Sequence, residues 1–126
     1  MTILDSNVWI ALFHNQDSQH AKAEKIFFSL TQKILIPEYV ILEVSSVLLL
    51  KSNKEIADAF LERVIDSEDV EVALSNELFF LDVVKTFQSY PKHDLSFIDC
   101  ALLLLSQSHT IITLDEHLAR AIKQNQ

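Results

Sequence analysis

Four short apolar runs alternate along the chain with longer segments in which apolar residues recur every three or four positions. The short runs predict β-strands at residues 2–4, 34–36, 70–74 and 110–114. The first, second and fourth runs are continuously apolar, which is typical of parallel strands covered on both faces. Glu71 interrupts the third run, and this alternation predicts a strand at the edge of the sheet.

The segments between these runs predict seven helices. They span residues 8–13, 18–30, 38–51, 54–65, 77–89, 95–107 and 116–123. Asn53 and Asn76 precede two of them, at positions where an asparagine side chain caps a helix. Because the sequence contains no glycine, we also expect asparagine to adopt the left-handed conformation at some helix C-termini. The alternation of strands and helices predicts a single α/β domain over residues 1–126, with a mostly parallel sheet.

The composition excludes several classes of site. A chain without glycine cannot form the P-loop, the dinucleotide-binding turn or the nucleophile elbow. A net charge of -8 is opposite to that of a protein that coats duplex DNA. Cys100, as the only cysteine, cannot form an internal disulfide and fits a reducing compartment. The N-terminus does not resemble a signal peptide and no apolar run is long enough to span a membrane, so we expect a cytoplasmic protein.

Four of the eighteen acidic residues lie in the most apolar parts of the sequence. Glu43 and Asp99 fall within apolar helical segments, with apolar residues three and four positions away. Asp5 and Asp115 directly follow the first and last predicted strands. The carboxyl ends of parallel strands border the crevice where open α/β sheets bind ligands. These four carboxylates are therefore the strongest candidates for a site.

Three of these four acids have an alternative structural role. The two aspartates that follow strands have an alternative interpretation as helix N-caps. Asp99 has one in a capping box with Ser96, although Asp94 is the better-placed cap of that helix. Glu43 has no capping role, and a charged residue on a buried helical face is rare unless it is paired or bound to metal.

The joint pattern favours a metal site over four unrelated structural roles. Two carboxylates about 4 Å apart repel by about 4 kcal/mol at an effective dielectric constant near 20, so a cluster of them requires protonation or a cation. Carboxylate oxygens suit Mg²⁺ or Mn²⁺. The five histidines and one cysteine lack the spacing of a zinc site.

Four motifs occur in order along nearly the whole chain, each containing one of these acids. They are Leu4-Asp5-Ser6-Asn7, Leu42-Glu43-Val44, Leu95-Ser96-Phe97-Ile98-Asp99-Cys100-Ala101 and Ile112-Thr113-Leu114-Asp115. Together they resemble the PIN-domain nucleases, most of all the VapC-like ribonuclease toxins of type II toxin–antitoxin pairs. The resemblance implies a PIN-like domain with a four-stranded sheet ordered 3-2-1-4 and about seven helices. It also implies an Mg²⁺- or Mn²⁺-dependent site that hydrolyses RNA at the carboxyl edge of the sheet.

The resemblance also assigns roles to individual residues. The catalytic and metal-binding acids would be Asp5, Glu43, Asp99 and Asp115. The polar residues that support them would be Asn7, Ser96 and Thr113. Because the chain is acidic, contacts to RNA phosphates require local basic residues, for which the candidates are Lys22, Lys51, Lys92 and Arg120. Family members usually form homodimers and are held inactive by a small antitoxin, and they often end in a fifth strand that residues 121–126 do not predict.

Other functions are compatible with parts of this pattern. A PIN-domain nuclease that processes RNA without being a toxin would keep the same acids. A non-catalytic PIN-like module that binds RNA or protein would keep the fold and lose some of them. A phosphatase of the haloacid dehalogenase type needs a second aspartate two residues after the first, where Asn7 stands.

Overall fold

Four parallel strands form the central sheet. The structure is a computed structural model that describes residues 1–91 and 93–126. The strands are β1 (Thr2–Leu4), β2 (Ile34–Pro37), β3 (Val70–Ala73) and β4 (Thr110–Ile112). Their order is β3-β2-β1-β4, and all three pairings are parallel, as expected from the resemblance. The predicted edge position of the third strand is confirmed, and Glu71 in this strand is exposed.

The described residues form the seven predicted helices. They are α1 (Ser6–Phe13), α2 (His20–Ser29), α3 (Glu38–Lys51), α4 (Lys54–Asp66), α5 (Glu77–Ser89), α6 (Phe97–Leu105) and α7 (Glu116–Gln124). Helix α1 contacts α2 and α3, and α3 also contacts α4. Helix α6 contacts α5 and α7. Within the described residues, none of these helices has the length and apolar character needed to cross a membrane.

The chain connections create a crevice at one edge of the sheet. The connections from β1 to β2 and from β2 to β3 run in one direction across the sheet. The connection from β3 to β4 runs in the opposite direction, past β2 and β1. Because parallel crossovers are right-handed, the two directions put their helices on opposite faces of the sheet. The direction therefore reverses between β1 and β4, and ligands of open α/β sheets bind outside the carboxyl ends of such strands.

A continuous apolar core lies on both sides of β1 and β2. Ile3, Leu4 and Ile36 in these strands are completely buried. The Trp9 ring packs edge-on against Phe60, with their ring centroids 5.6 Å apart. This packing anchors α1 against α4, and so fixes the start of α1, which follows β1 directly.

The helix ends confirm one prediction and contradict another. Asn53 and Asn76 are the predicted N-caps, and each side chain accepts a 2.8 Å hydrogen bond from a backbone N–H three residues later. The prediction of left-handed asparagine C-caps is wrong, because no described residue has a positive φ. Helices such as α4 and α5 instead end in an extended residue, Ser67 or Tyr90, whose N–H still bonds back into the last turn. An extended exit of this kind does not require glycine.

Candidate active site

Asp5 and Asp115 lie at the carboxyl ends of the neighbouring strands β1 and β4. Leu4 is paired with Ile112, and the Asp5 N–H donates to the Ile112 carbonyl at 2.9 Å. Each aspartate is also the N-cap of the following helix, α1 or α7. The capping interpretation is therefore correct for both residues, and their capping positions bring both to the edge where the crevice is expected.

The Asp5 carboxylate is held by several hydrogen bonds. Asp5 is buried, with 4% of its surface exposed. Its Oδ1 accepts from the Ser6 N–H at 2.7 Å, and its Oδ2 accepts from the Thr113 hydroxyl at 2.6 Å and from Asn7 Nδ2 at 3.3 Å. Asn7 also donates to Thr113 at 3.3 Å and accepts from the Leu114 N–H at 3.1 Å. Asn7 and Thr113 thus connect the ends of the two strands through side chains.

Asp99 lies in the first turn of α6 as part of a capping box. The Ser96 hydroxyl accepts from the Asp99 N–H at 3.1 Å, and Asp99 Oδ2 accepts from the Ser96 N–H at 2.9 Å. The prediction that Asp94 caps this helix is wrong. Asp94 Oδ2 instead lies 3.2 Å from Nδ1 of His117. Ser96 is the N-cap because its hydroxyl bonds the Asp99 N–H while the Asp99 carboxylate bonds the Ser96 N–H, which satisfies both backbone groups.

Glu43 lies beside the buried face of α3 rather than on it. The fully buried residues of this helix are Val40, Val44 and Leu48, whereas Glu43 is half-buried. Leu50, which is seven positions after Glu43 and would share a buried face with it, is 85% exposed. The predicted face is therefore wrong by one position, and Glu43 borders solvent at the margin of the core.

The pKa of Asp5 is shifted by burial, by hydrogen bonds and by two nearby carboxylates. Burial raises the pKa of Asp5 from 3.8 to about 6. Hydrogen bonds from Thr113 and Ser6 oppose this increase in the pKa, and the negative charges of Asp99 and Glu43 add to it. Asp5 is thus close enough to both of these carboxylates to be affected by their charge.

A second set of charges acts on Asp99. Burial raises the pKa of this carboxyl, the hydrogen bonds with Ser96 lower it, and the charges of Asp115 and Asp94 raise it further. Together with the effects on Asp5, these interactions connect Glu43, Asp5, Asp99 and Asp115 in one acidic cluster, with Asp94 beside it. We call Asp5, Glu43, Asp99 and Asp115 the acidic quartet.

The acidic quartet does not form a closed metal cage. In residues 1–91 and 93–126, no three histidine, cysteine, aspartate or glutamate side chains are grouped closely enough to hold a metal ion by themselves. Mg²⁺ usually keeps several water ligands and binds proteins through only one or two carboxylates, together with substrate phosphates. The hard oxygen donors and the mutual repulsion of the quartet fit a hydrated divalent cation of this kind.

The candidate basic residues are dispersed. Lys22 is exposed on α2, and Lys51 is exposed at the end of α3. Arg120, exposed on α7, lines a small cleft together with Asp94 and His117. Lys92 lies outside the described residues. Sequence reasoning missed the pair between His117 and Asp94, because no local pattern signals a contact between residues so far apart in the chain.

Comparisons with known proteins agree with this architecture. No curated protein sequence matches the chain. The fold is similar to the crystal structure of VapC20 from Mycobacterium tuberculosis, described as a Sarcin-Ricin loop cleaving toxin. The TM-score is 0.86 at 17% sequence identity, and the match covers 96% of this chain and 95% of that one. The family model of the PIN domain matches residues 2–124. The chain therefore belongs to the PIN domain family.

Proposed function

We propose that this PIN domain is an endoribonuclease that depends on Mg²⁺ or Mn²⁺ and hydrolyses RNA phosphodiester bonds. The observation that supports this proposal is the acidic quartet, in which the charges of Asp99 and Glu43 raise the pKa of Asp5 and the charge of Asp115 raises that of Asp99. VapC20, which has the same fold, is a toxin that cleaves the Sarcin-Ricin loop. We propose RNA as the substrate class of this chain as well.

In this proposal, Asp5 and Asp99 bind the metal directly, and Glu43 and Asp115 bind it directly or through water. A bound divalent ion would supply Lewis acidity, which makes water a better nucleophile and stabilises negative charge on the phosphodiester. Asp5 suits the role of ligand because, with a pKa of about 6, it is mostly ionised at pH 7 despite its burial. A fixed anion next to two others attracts a cation strongly.

Three polar residues position these ligands. Thr113 and Asn7 hold the Asp5 carboxylate by hydrogen bonds, and Ser96 holds Asp99. We propose that they fix the orientation of the carboxylates without contacting the reacting phosphate. Such outer residues usually affect metal affinity or activity by about 10- to 100-fold.

The direct test is cleavage of a labelled RNA that contains single-stranded loops. We expect the purified protein to cut it in Mg²⁺ or Mn²⁺ and not in EDTA, and Asp99→Asn to lose about 100-fold or more in rate. The matched control is Asp66→Asn, which neutralises an exposed aspartate at the end of α4. Full cleavage by Asp99→Asn, or by the wild type in EDTA, would contradict the proposal. RNA binding without cleavage would indicate a non-catalytic module.

We also propose that the chain is the toxin of a toxin–antitoxin pair, inhibited by a small antitoxin protein. The likeness to VapC20, itself a toxin, supports this assignment. Induction of the wild type in a bacterial host should slow growth, and Glu43→Gln should abolish the effect. Equal growth of the two strains would contradict the toxin assignment and leave an RNA-processing nuclease as the alternative.

A homodimer is the assembly that we propose for the chain. Leu42, Leu49 and Leu50 on α3 are 58%, 50% and 85% exposed. Leu42 and Leu49 are seven residues apart and so lie on one face of the helix, and an exposed apolar face of this kind marks a protein–protein contact. Light scattering should show a dimer for the wild type and a monomer for the Leu42→Ser/Leu49→Ser double variant. Ile65→Ser, which changes an exposed apolar residue on α4, is the control.

Lys22, Lys51, Lys92 and Arg120 are the basic residues that we propose for contacts with RNA phosphates. Arg120 has the strongest support, because it lines a cleft with His117, two residues after Asp115. Removing one phosphate contact should reduce the salt dependence of RNA binding. Arg120→Gln should therefore weaken RNA binding and flatten its dependence on salt concentration, whereas Lys123→Gln on the same helix should not.

A further inference from the structure

A separate cavity of about 210 Å³ lies at the carboxyl ends of β2 and β3. It is bordered by the first turns of α3 and α5. The side chains that define its character are Glu38, Tyr39, Leu74, Asn76, Phe79 and Leu105. Pockets for drug-sized ligands begin at about 300 Å³, so this cavity suits a single small ring system.

Two aromatic rings contribute to the walls of the cavity. The rings of Tyr39 and Phe79 are nearly parallel, with an interplanar angle of 21° and centroids 6.5 Å apart. The Tyr39 hydroxyl is buried and has no hydrogen-bond partner within the described part of the chain. Because this oxygen has almost no accessible surface, a ligand in the cavity would stack on the aromatic rings and would not bond to the hydroxyl.

Glu38 supplies a carboxylate with a fixed orientation. Its Oε1 accepts two hydrogen bonds from Ser75, from the N–H at 2.9 Å and from the hydroxyl at 3.2 Å. Among residues 1–91 and 93–126, no donor bonds to its second oxygen, Oε2. An ionised carboxylate can only accept hydrogen bonds, so a ligand in this cavity must present N–H or O–H groups to it.

The cavity adjoins the acidic quartet through Tyr39. Tyr39 and Glu43 are four residues apart on α3, which corresponds to about 5–6 Å between their Cβ atoms. The Tyr39 ring also packs edge-on against Phe97, with centroids 5.9 Å apart. Phe97 is the first residue of α6, two positions before Asp99. One wall of the cavity is therefore shared with two helices that position the quartet.

We propose that this cavity binds one nucleobase of the RNA beside the cleaved bond, and that Glu38 selects bases with an exocyclic amino group over uracil. The inference rests on the proposed function, because it takes RNA as the substrate. Unpaired bases stack on aromatic side chains and are recognised by hydrogen bonds to their edges. Adenine, cytosine and guanine offer amino donors to a carboxylate. Uracil offers one N–H between two carbonyl oxygens, and these repel Glu38.

The first test measures free nucleosides binding to the intact protein in EDTA, by NMR chemical-shift titration. We expect adenosine and cytidine to bind about tenfold more tightly than uridine. Glu38→Gln should remove this preference, because a carboxamide both donates and accepts. Glu55→Gln is the matched control, since Glu55 occupies the first turn of α4 as Glu38 does that of α3. Tyr39→Phe, which keeps the ring and removes only the inaccessible hydroxyl, should bind all the nucleosides as the wild type does.

The second test sequences the ends produced from an RNA with a randomised loop. The wild type should disfavour uridine at one position beside the cut, and Glu38→Gln should accept all four bases there. Nucleoside preference without any RNA cleavage would refute the nuclease and support the base site. Cleavage with neither nucleoside preference nor an effect of Glu38→Gln would refute the base site alone. A change from dimer to monomer in Glu38→Gln, with unchanged base preference, would make the cavity a protein interface and overturn the inference.

Discussion

The Thr113 hydroxyl donates a 2.6 Å hydrogen bond to Oδ2 of Asp5, across 108 residues of sequence. The same hydroxyl oxygen lies 3.0 Å from the Asp115 N–H and 3.3 Å from Asn7 Nδ2, both of which donate to it. Because these two donors occupy its lone pairs, its single proton is committed to Asp5. Thr113 therefore stabilises the ionised form of a carboxylate that burial disfavours.

Replacing Thr113 by valine tests this relationship. The loss of the hydroxyl proton should raise the pKa of Asp5 above its present value of about 6, because a hydrogen bond that lowers the pKa is removed. The free energy of unfolding should fall by about 1–3 kcal/mol, since Asp5 and the Asp115 N–H each lose a partner. Carbon-detected NMR titration of the Asp5 carboxyl measures the first effect and urea unfolding the second. Thr113→Ser should resemble the wild type, and an unchanged Asp5 titration in Thr113→Val would contradict the assignment of the proton.

The raised pKa of Asp5 predicts how stability depends on pH in the metal-free protein. A folded-state pKa of about 6, above the unfolded value near 3.9, means that the folded form binds the proton more tightly. This contribution to stability is full below the unfolded pKa and is lost as the pH rises through the folded pKa. Relative to Asp5→Asn, the wild type should therefore gain about 1 kcal/mol between pH 7 and pH 5. Urea unfolding at both pH values in EDTA measures this difference. A constant difference between the two proteins would show that the pKa of Asp5 is not raised.

Divalent metal should stabilise the wild type more than variants of the quartet. A ligand that binds only the folded state at 100 times its Kd adds about 2.7 kcal/mol to the free energy of unfolding. Thermal unfolding with and without Mg²⁺ or Mn²⁺ should show this increase for the wild type and for Asp66→Asn. Asp99→Asn should show a much smaller one. If Asp99→Asn responds to metal as the wild type does, Asp99 is a helix-capping residue and not a metal ligand.

Ser96→Ala should separate helix capping from support of the site. Removing an N-cap costs about 1 kcal/mol. It should also raise the pKa of Asp99, since the side-chain hydrogen bond with Ser96 lowers it and only the bond from the Ser96 N–H remains. Asn53→Ala removes a comparable cap from α4, which packs mainly on α3 and β3. Both variants should lose similar stability in urea, but only Ser96→Ala should lose metal affinity, by about 10- to 100-fold. Equal metal affinity in the two variants would show that Ser96 only caps the helix and does not support the metal site.

The parts of the fold that the sequence predicts correctly are those set by local chemistry. Continuous apolar runs identify β1 and β2, and Glu71 identifies the edge strand, because burial on two faces or one dictates these patterns directly. The asparagine caps of α4 and α5 follow from residue type alone. The order of the sheet does not follow from these patterns, and only the resemblance to a known family supplied it.

The errors arise where tertiary packing decides between locally similar options. Asp94 and Ser96 are both good capping residues, and the pairing of Asp94 with His117 from α7 leaves the cap to Ser96. The buried face of α3 is displaced by one position, because apolar residues surround Glu43 on most sides of the helix. A helix with apolar residues on most sides has no face that periodicity can identify.

The absence of positive φ angles has a consequence for mutational studies of this protein. No described position relies on a residue without a Cβ atom, and the chain contains no glycine. Its unfolded state therefore has fewer conformations to lose on folding than that of a chain with the usual glycine content of about 7%. Alanine can likewise occupy any described position without a backbone clash from left-handed geometry. An alanine scan of this protein would report on the side chains that are removed, with no background from strained turns.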